Sequence, residues 1–187
     1  MSAAPGPDGR LRCPWALGAA DYLAYHDTEW GRPVTSVAGL YERMTLEGFQ
    51  SGLSWLTILR KRESFRRAFA GFDPGRVARF DEADVDRLLG DAGIVRNRAK
   101  IEAAISNARV VAGMGQAYAD LIWSFRVLDR PRPTDEDWRA TSPESVAMAK
   151  ALRRAGIRFF GPTTAYALMQ AVGLVDDHLA DCAVAGD

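Results

Sequence analysis

The chain holds two cysteines and two histidines in all, paired at its opposite ends: Cys13 and His26 with twelve residues between them, His178 and Cys182 four apart. Thiolates and imidazoles are the ligands zinc favours, and two of each make a tetrahedral set whose thiolate charges balance the ion. Residues four apart share one face of a helix, so His178 and Cys182 are expected to grip one object from a single helical turn. Composition alone equally accommodates two buried thiols and two surface imidazoles. The paired spacing, with no other Cys or His in the chain, favours the metal. Four protein ligands leave no open coordination position, so the ion would be structural. It would close a loop of almost the whole chain, and its binding free energy would become folding free energy.

A second group surrounds one carboxylate with aromatic rings: Trp15, Tyr22, Tyr25, Trp30, Glu47 and Trp55. Tyr22 and Tyr25 can share a helical face. Glu47 follows Met44 by three residues and Leu40 by seven, so it borders an apolar stripe. It is either a solvated edge residue or a buried acid that needs donors. Aromatic walls around one carboxylate suit a planar, cationic, NH-bearing ligand. A third feature is "FFGPTT", where Gly161 precedes Pro162, Thr163 and Thr164. It is either an ordinary helix start with Pro in the first turn or a set of backbone N–H groups turned toward an anion.

The elements that must position these groups are helical throughout. Val37, Leu40, Tyr41 and Met44 mark one stripe, with Gly48 and Gly52 suggesting a break beyond it. A helix is expected over residues 55–69, with Leu56, Leu59 and the apolar part of Arg60 turned inward. Asp73 and Pro74 read as N-cap and first helical residue, Asp81 opens a helix stopping near Gly93, and Ile101, Ile105 and Ala108 mark a long one. Ser142–Pro143 opens a helix ending at Gly156, and a last one covers residues 163–172 with Gly173 as its stop. Residues 129–141 read as the long loop, and residues 1–12 as a flexible tail before a single domain over 13–187. The expectation is an all-α chain in two helical lobes.

At 187 residues and 48% apolar, the chain can bury a sizeable core. Its formal net charge of zero announces no nucleic-acid partner, although a balanced total can hide local patches. No apolar run approaches the ~20 residues needed to span a bilayer, and no basic-then-apolar leader is present, so a cytoplasmic protein without a membrane role is expected.

Taken together, "CPW", "DYLAYHDTEWG", "LEGFQSGLSWLTILRKRESFRRAF", "DAGIVRNRAKIEAAISNA", "WSF" and "FFGPTTAYALMQAVGLVDDH" resemble the 3-methyladenine DNA glycosylase I family, from about Cys13 to Cys182. The resemblance implies a helix-hairpin-helix glycosylase fold, with a structural zinc joining the N- and C-terminal segments through Cys13, His26, His178 and Cys182. It implies a monofunctional DNA repair hydrolase that flips N3-methyladenine out of alkylated double-stranded DNA and cuts its N-glycosidic bond, working as a monomer. Glu47 and Tyr25 then carry the catalytic role, in a base pocket shared with Trp55, Tyr22, Trp15 and Trp30. Gly52 and Leu53 fall on the loop that enters the DNA, and Gly161, Thr163 and Thr164 on the phosphate-holding hairpin. Three positions depart from the family's pattern: Pro162 lacks an N–H where Thr is common, Ala167 replaces a Ser, and Asp176 replaces an Asn. Asp176 matches the catalytic aspartate of other helix-hairpin-helix glycosylases, which makes it a rival carboxylate. The alternatives are a non-catalytic zinc-stapled DNA-binding module and a glycosylase of different lesion range.

Overall fold

The computed structural model describes residues 2–134 and 139–184. Nine α-helices make up the described fold: α1 (Ala20–Thr28), α2 (Val37–Gln50), α3 (Trp55–Ala68), α4 (Pro74–Val77), α5 (Glu82–Gly90), α6 (Arg98–Met114), α7 (Gln116–Trp123), α8 (Pro143–Arg154) and α9 (Pro162–Ala171). Side chains that accept from orphan amides set their starts. Ser36 Oγ accepts from Gly39 N at 3.2 Å, Ser54 Oγ from Thr57 N at 3.3 Å and Asp73 Oδ1 from Arg76 N at 3.1 Å. Asp81 with Asp84, and Ser142 with Ser145, close reciprocal capping boxes.

Helix α2 is the central element. It packs on α3, α6, α7 and α9, and its Leu40, Tyr41, Met44 and Phe49 are almost fully buried. Two polar contacts fix its setting inside this core: the Tyr41 hydroxyl donates to Ala104 O at 2.9 Å, and the Tyr118 hydroxyl meets Met44 Sδ at 3.3 Å. At its C-terminal end the buried ammonium of Lys100 donates to Phe49 O at 2.9 Å and to Ser51 O, satisfying carbonyls the helix leaves orphaned. A large apolar cluster extends from α2 to α9, and a smaller one, with Cys13, Leu179, Cys182 and Val184, forms where the chain ends meet.

Several local readings are revised. Helix α2 continues through Gly48 to Gln50, because a single helical glycine costs only ~1 kcal/mol and neighbouring contacts offset it. In α3 the buried residues are Ile58, Phe65 and Ala68, while Leu56 and Leu59 are half-buried. Arg60 is exposed and pairs with Asp21 at 2.6 Å. Residues 1–12, read as a flexible tail, contain an antiparallel pair, Ala4–Pro5 with Leu11–Arg12, and Ala3 N donates to Asp181 at 3.1 Å. The loop expected over residues 129–141 is irregular where described, and 135–138 lie outside the described residues. His178 and Cys182 do not sit on a helix. Gly173, at φ +75°, ends the last helical turn, and a cap from Asp176 Oδ1 to His178 N at 3.2 Å, followed by a Cys182 N to Leu179 O turn at 2.9 Å, brings the two ligands to one side.

Candidate active site

The aromatic group and Glu47 converge on one pocket of about 230 Å³, lined by Trp15, Tyr22, Tyr25, Trp30, Glu47 and Trp55, together with Gln50, Ala167 and Gln170. A 3₁₀ turn at Pro14–Gly18 carries Trp15, α1 carries both tyrosines, α2 supplies Glu47 and the first residue of α3 is Trp55. The rings brace one another, Trp15 edge to face against Tyr22 and Trp30 and Tyr25 tilted against Trp55. Trp15 stands 5.6 Å from Tyr22 and 5.1 Å from Trp30, and Tyr25 stands 5.5 Å from Trp55. The Tyr22 hydroxyl accepts from Leu56 N at 2.9 Å, tying α1 to the start of α3. Trp55 Nε1 is buried without a partner, a donor at the pocket wall.

Glu47 is 6% exposed, so the buried alternative is the correct one. Burial pushes its carboxyl up to about 8, with the charge of Arg43 drawing it back only partly. That guanidinium is already engaged by Glu29, 2.9 Å from its Nη2. Burial raises the Tyr25 phenol as well, with the neighbouring Glu47 adding to the effect. At neutral pH the resting pocket therefore holds an uncharged acid among aromatic rings.

Behind the pocket, Cys13, His26, His178 and Cys182 are all buried, with ligand atoms within 4.8 Å of one another. His178 Nδ1 lies 3.2 Å from His26 Nε2, and Cys182 Sγ lies 3.6 Å from His26 Nε2 and 3.8 Å from His178 Nδ1. A tetrahedral ion with ordinary Zn–N and Zn–S bonds would hold such atoms roughly 3.3–3.8 Å apart, so the donor set fits a metal. Outer partners orient the rings. Asp27 Oδ1 sits 2.8 Å from His26 Nδ1, and Trp30 O sits 3.3 Å from His178 Nε2, which leaves the opposite nitrogens turned toward the centre. A hydrogen bond to Cys182, reinforced by burial, raises Cys13, and the same bond lowers Cys182. The cluster also props the pocket, since the Trp30 ring meets His178 at 4.7 Å and the Trp15 ring meets His26 at 5.3 Å.

The remaining expected residues lie on the outer face. Gly52, at φ +82°, forms an exposed turn with Leu53, which is 43% exposed and whose N–H donates to Gln50 O. Gly161 caps α9, with Pro162 in its first turn and Thr163 and Thr164 following. Gly161 and Thr164 line a second groove with Ser51, Arg153 and Arg158. Asp176 does not line the base pocket. Its Oδ2 pairs with Arg132 Nε at 2.8 Å, and its Oδ1 takes the His178 amide. The sequence reading missed Gln50, Gln170 and Asp177. The last lies 4% exposed behind Gln170, bonded to Tyr166 and Gln170 at 2.6 and 2.8 Å. The spacing of Gln170 and Asp177, seven apart across a helix end, carried no periodic signal that could have joined them.

Comparison with known proteins agrees with this geometry. The methyladenine glycosylase family profile matches residues 15–185. A DNA-3-methyladenine glycosylase of Haemophilus influenzae is 46% identical over 178 residues, covering 91% of this chain and 96% of that protein. A crystal structure of a 3-methyladenine DNA glycosylase I is 47% identical with a TM-score of 0.86, covering 92% of this chain and 98% of that one. A Staphylococcus aureus 3-methyladenine DNA glycosylase I, solved to explain 3-methyladenine recognition, is 34% identical with a TM-score of 0.85, covering 92% and 95% of the two chains. With nearly its whole length matched by the family profile and by such proteins, the chain belongs to the methyladenine glycosylase family.

Proposed function

We propose that the protein excises N3-methyladenine from alkylated duplex DNA by hydrolysing the N-glycosidic bond. The observation that carries this is the buried Glu47 inside an aromatic box. A base inside a duplex is unreachable, so the nucleotide must swing into the pocket, at a cost of a few kcal/mol. Leu53, exposed on its Gly52 turn, is placed to fill the gap left behind. N3-methylation makes the adenine a cation with a weakened bond to its sugar. Such a ring suits the faces of Trp55 and Tyr25. Its charge also drives the Glu47 proton out to solvent water as the base enters, since a nearby cation favours the carboxylate. The resulting anion accepts from the exocyclic amino group. The C1′–N9 bond then breaks with its electrons passing to the base, which becomes neutral, and water captures the sugar cation and loses a proton. Charge pairing selects the lesion, while the lability of the cationic base supplies much of the bond breaking.

The other roles follow from placement. The α8–turn–α9 unit reads as the helix-hairpin-helix, with the amides after Gly161 facing a phosphate and Pro162 contributing none. Cys13, His26, His178 and Cys182 would hold zinc, which when bound supplies a cross-link between the chain ends and no reaction chemistry. Thr163 stands where strand-cutting relatives use a lysine, so the enzyme leaves an intact abasic strand. The reading treats residues 13–187 as one domain acting on DNA as a monomer in the cytoplasm.

The test is chromatography of the base released when purified protein meets methylated duplex, with borohydride added in a parallel reaction. Free 3-methyladenine, an intact abasic strand and no trapped adduct are expected. DNA binding without base release would instead identify a non-catalytic module.

A further inference from the structure

Gln170 lines the base pocket from α9, and the two ends of its carboxamide have the same shape but opposite hydrogen-bonding character. What stands behind it decides which end faces a ligand. Gln170 Nε2 lies 2.8 Å from Asp177 Oδ2, and the same oxygen takes the Tyr166 hydroxyl at 2.6 Å. Arg130 begins the chain: its Nη1 lies 2.7 Å from the Tyr166 oxygen, and its Nη2 lies 3.2 Å from Asp177 Oδ1. A guanidinium can only donate. The Tyr166 oxygen therefore receives from Arg130 and turns its own hydrogen to Asp177. Asp177, paired with that guanidinium, only accepts. Gln170 must show it the NH₂ end, leaving its carbonyl oxygen on the pocket side.

We propose that Gln170 is a specificity residue whose carbonyl oxygen, aimed by Arg130, Tyr166 and Asp177, accepts from the amino group of a 6-aminopurine and repels a 6-oxopurine. The proposal rests on the base-pocket reading above and adds the residue that tells adenine-type from guanine-type lesions. Glu47 alone cannot make this distinction. A buried carboxyl with its pKa pushed up to about 8 can meet an amino group as a carboxylate or a carbonyl as an acid. Gln170 has no such freedom while Asp177 remains an acceptor.

The experiment is equilibrium binding of free 3-methyladenine and 3-methylguanine, read by tryptophan fluorescence, in the intact protein and two variants. The unaltered protein should prefer 3-methyladenine. Gln170→Met keeps the volume without the acceptor, and should weaken 3-methyladenine about tenfold while leaving 3-methylguanine unchanged or tighter. Asp177→Asn should go further. Arg130 draws the new amide's oxygen toward itself, the new NH₂ faces Gln170, and the Gln170 amide turns over to present a donor, shifting preference toward 3-methylguanine. Thermal unfolding and metal content accompany both variants, and Gln170→Met decides the matter if Asp177→Asn does not fold. An unchanged affinity ratio in Gln170→Met, with the unaltered protein still binding 3-methyladenine, overturns the role of Gln170 alone. Failure of the unaltered protein to bind either base overturns the pocket reading with it.

Discussion

Replacing Glu47 with Gln should make the protein a poorer enzyme and, at alkaline pH, a more stable fold. Burial raises the carboxyl from 4.5 to about 8, so between these values the folded chain keeps a proton that the unfolded chain has released. Folded-state stability then falls as pH rises through this window, and levels off above it. At about 1.4 kcal/mol for each tenfold change in proton affinity, the penalty has a ceiling of roughly 5 kcal/mol. Gln keeps the shape and carries no such penalty. Thermal unfolding of the two proteins should lie nearest at pH 4, below the ordinary carboxyl value, and diverge by up to about 10–20 °C in favour of Glu47→Gln by pH 9. Single-turnover excision on methylated duplex at neutral pH should meanwhile slow about tenfold or more, because the anion that pairs with the lesion is lost. Melting curves that run parallel across the whole pH range would refute the reasoning, since the resting carboxyl would then be neither neutral nor costly to ionise.

Three further outcomes are expected. Elemental analysis should find about one zinc per chain, and Cys182→Ser should lose it together with several kcal/mol of unfolding free energy; metal-free protein of unchanged stability would contradict this. Asp176→Asn should alter excision less than about threefold, because Asp176 is committed to Arg132 and the His178 amide, and a crippled variant in single-turnover assays would restore it as the rival acid. Leu53→Ala should slow excision from duplex about tenfold while leaving the affinity for free 3-methyladenine unchanged, and equal loss in both assays would show that Leu53 shapes the pocket instead.

The helices were legible wherever a cap and an apolar stripe coincided, as at Asp73–Pro74, Asp81 and Ser142–Pro143, because both signals are local. Helix α7 was not read, since Gly115 follows α6 directly and its short apolar run resembles a continuation. Of the pocket, the aromatics and Glu47 stood out by residue type. The burial of Glu47 did not, because a residue beside a stripe can face either way until α3 and α9 cover it. The Cys/His set was found by counting, yet the turn that aligns His178 with Cys182 depends on Asp176 as a cap, whereas in sequence Asp176 stood out as a rival acid and not as a cap. Gln170 and Asp177 were invisible for a related reason. Their meaning lies in hydrogen-bond direction, inherited from Arg130 some forty residues upstream.

The cluster that props Trp15 and Trp30 draws its four ligands from both ends of the chain, so the aromatic wall of the pocket depends on the two ends staying together. The main core is itself built on distant pairings, α2 with α9 among them, and the cluster adds one more long closure to it. Anything that parted the two ends would slacken the wall around Glu47 and admit water to its acid, while the α2 to α9 packing could persist.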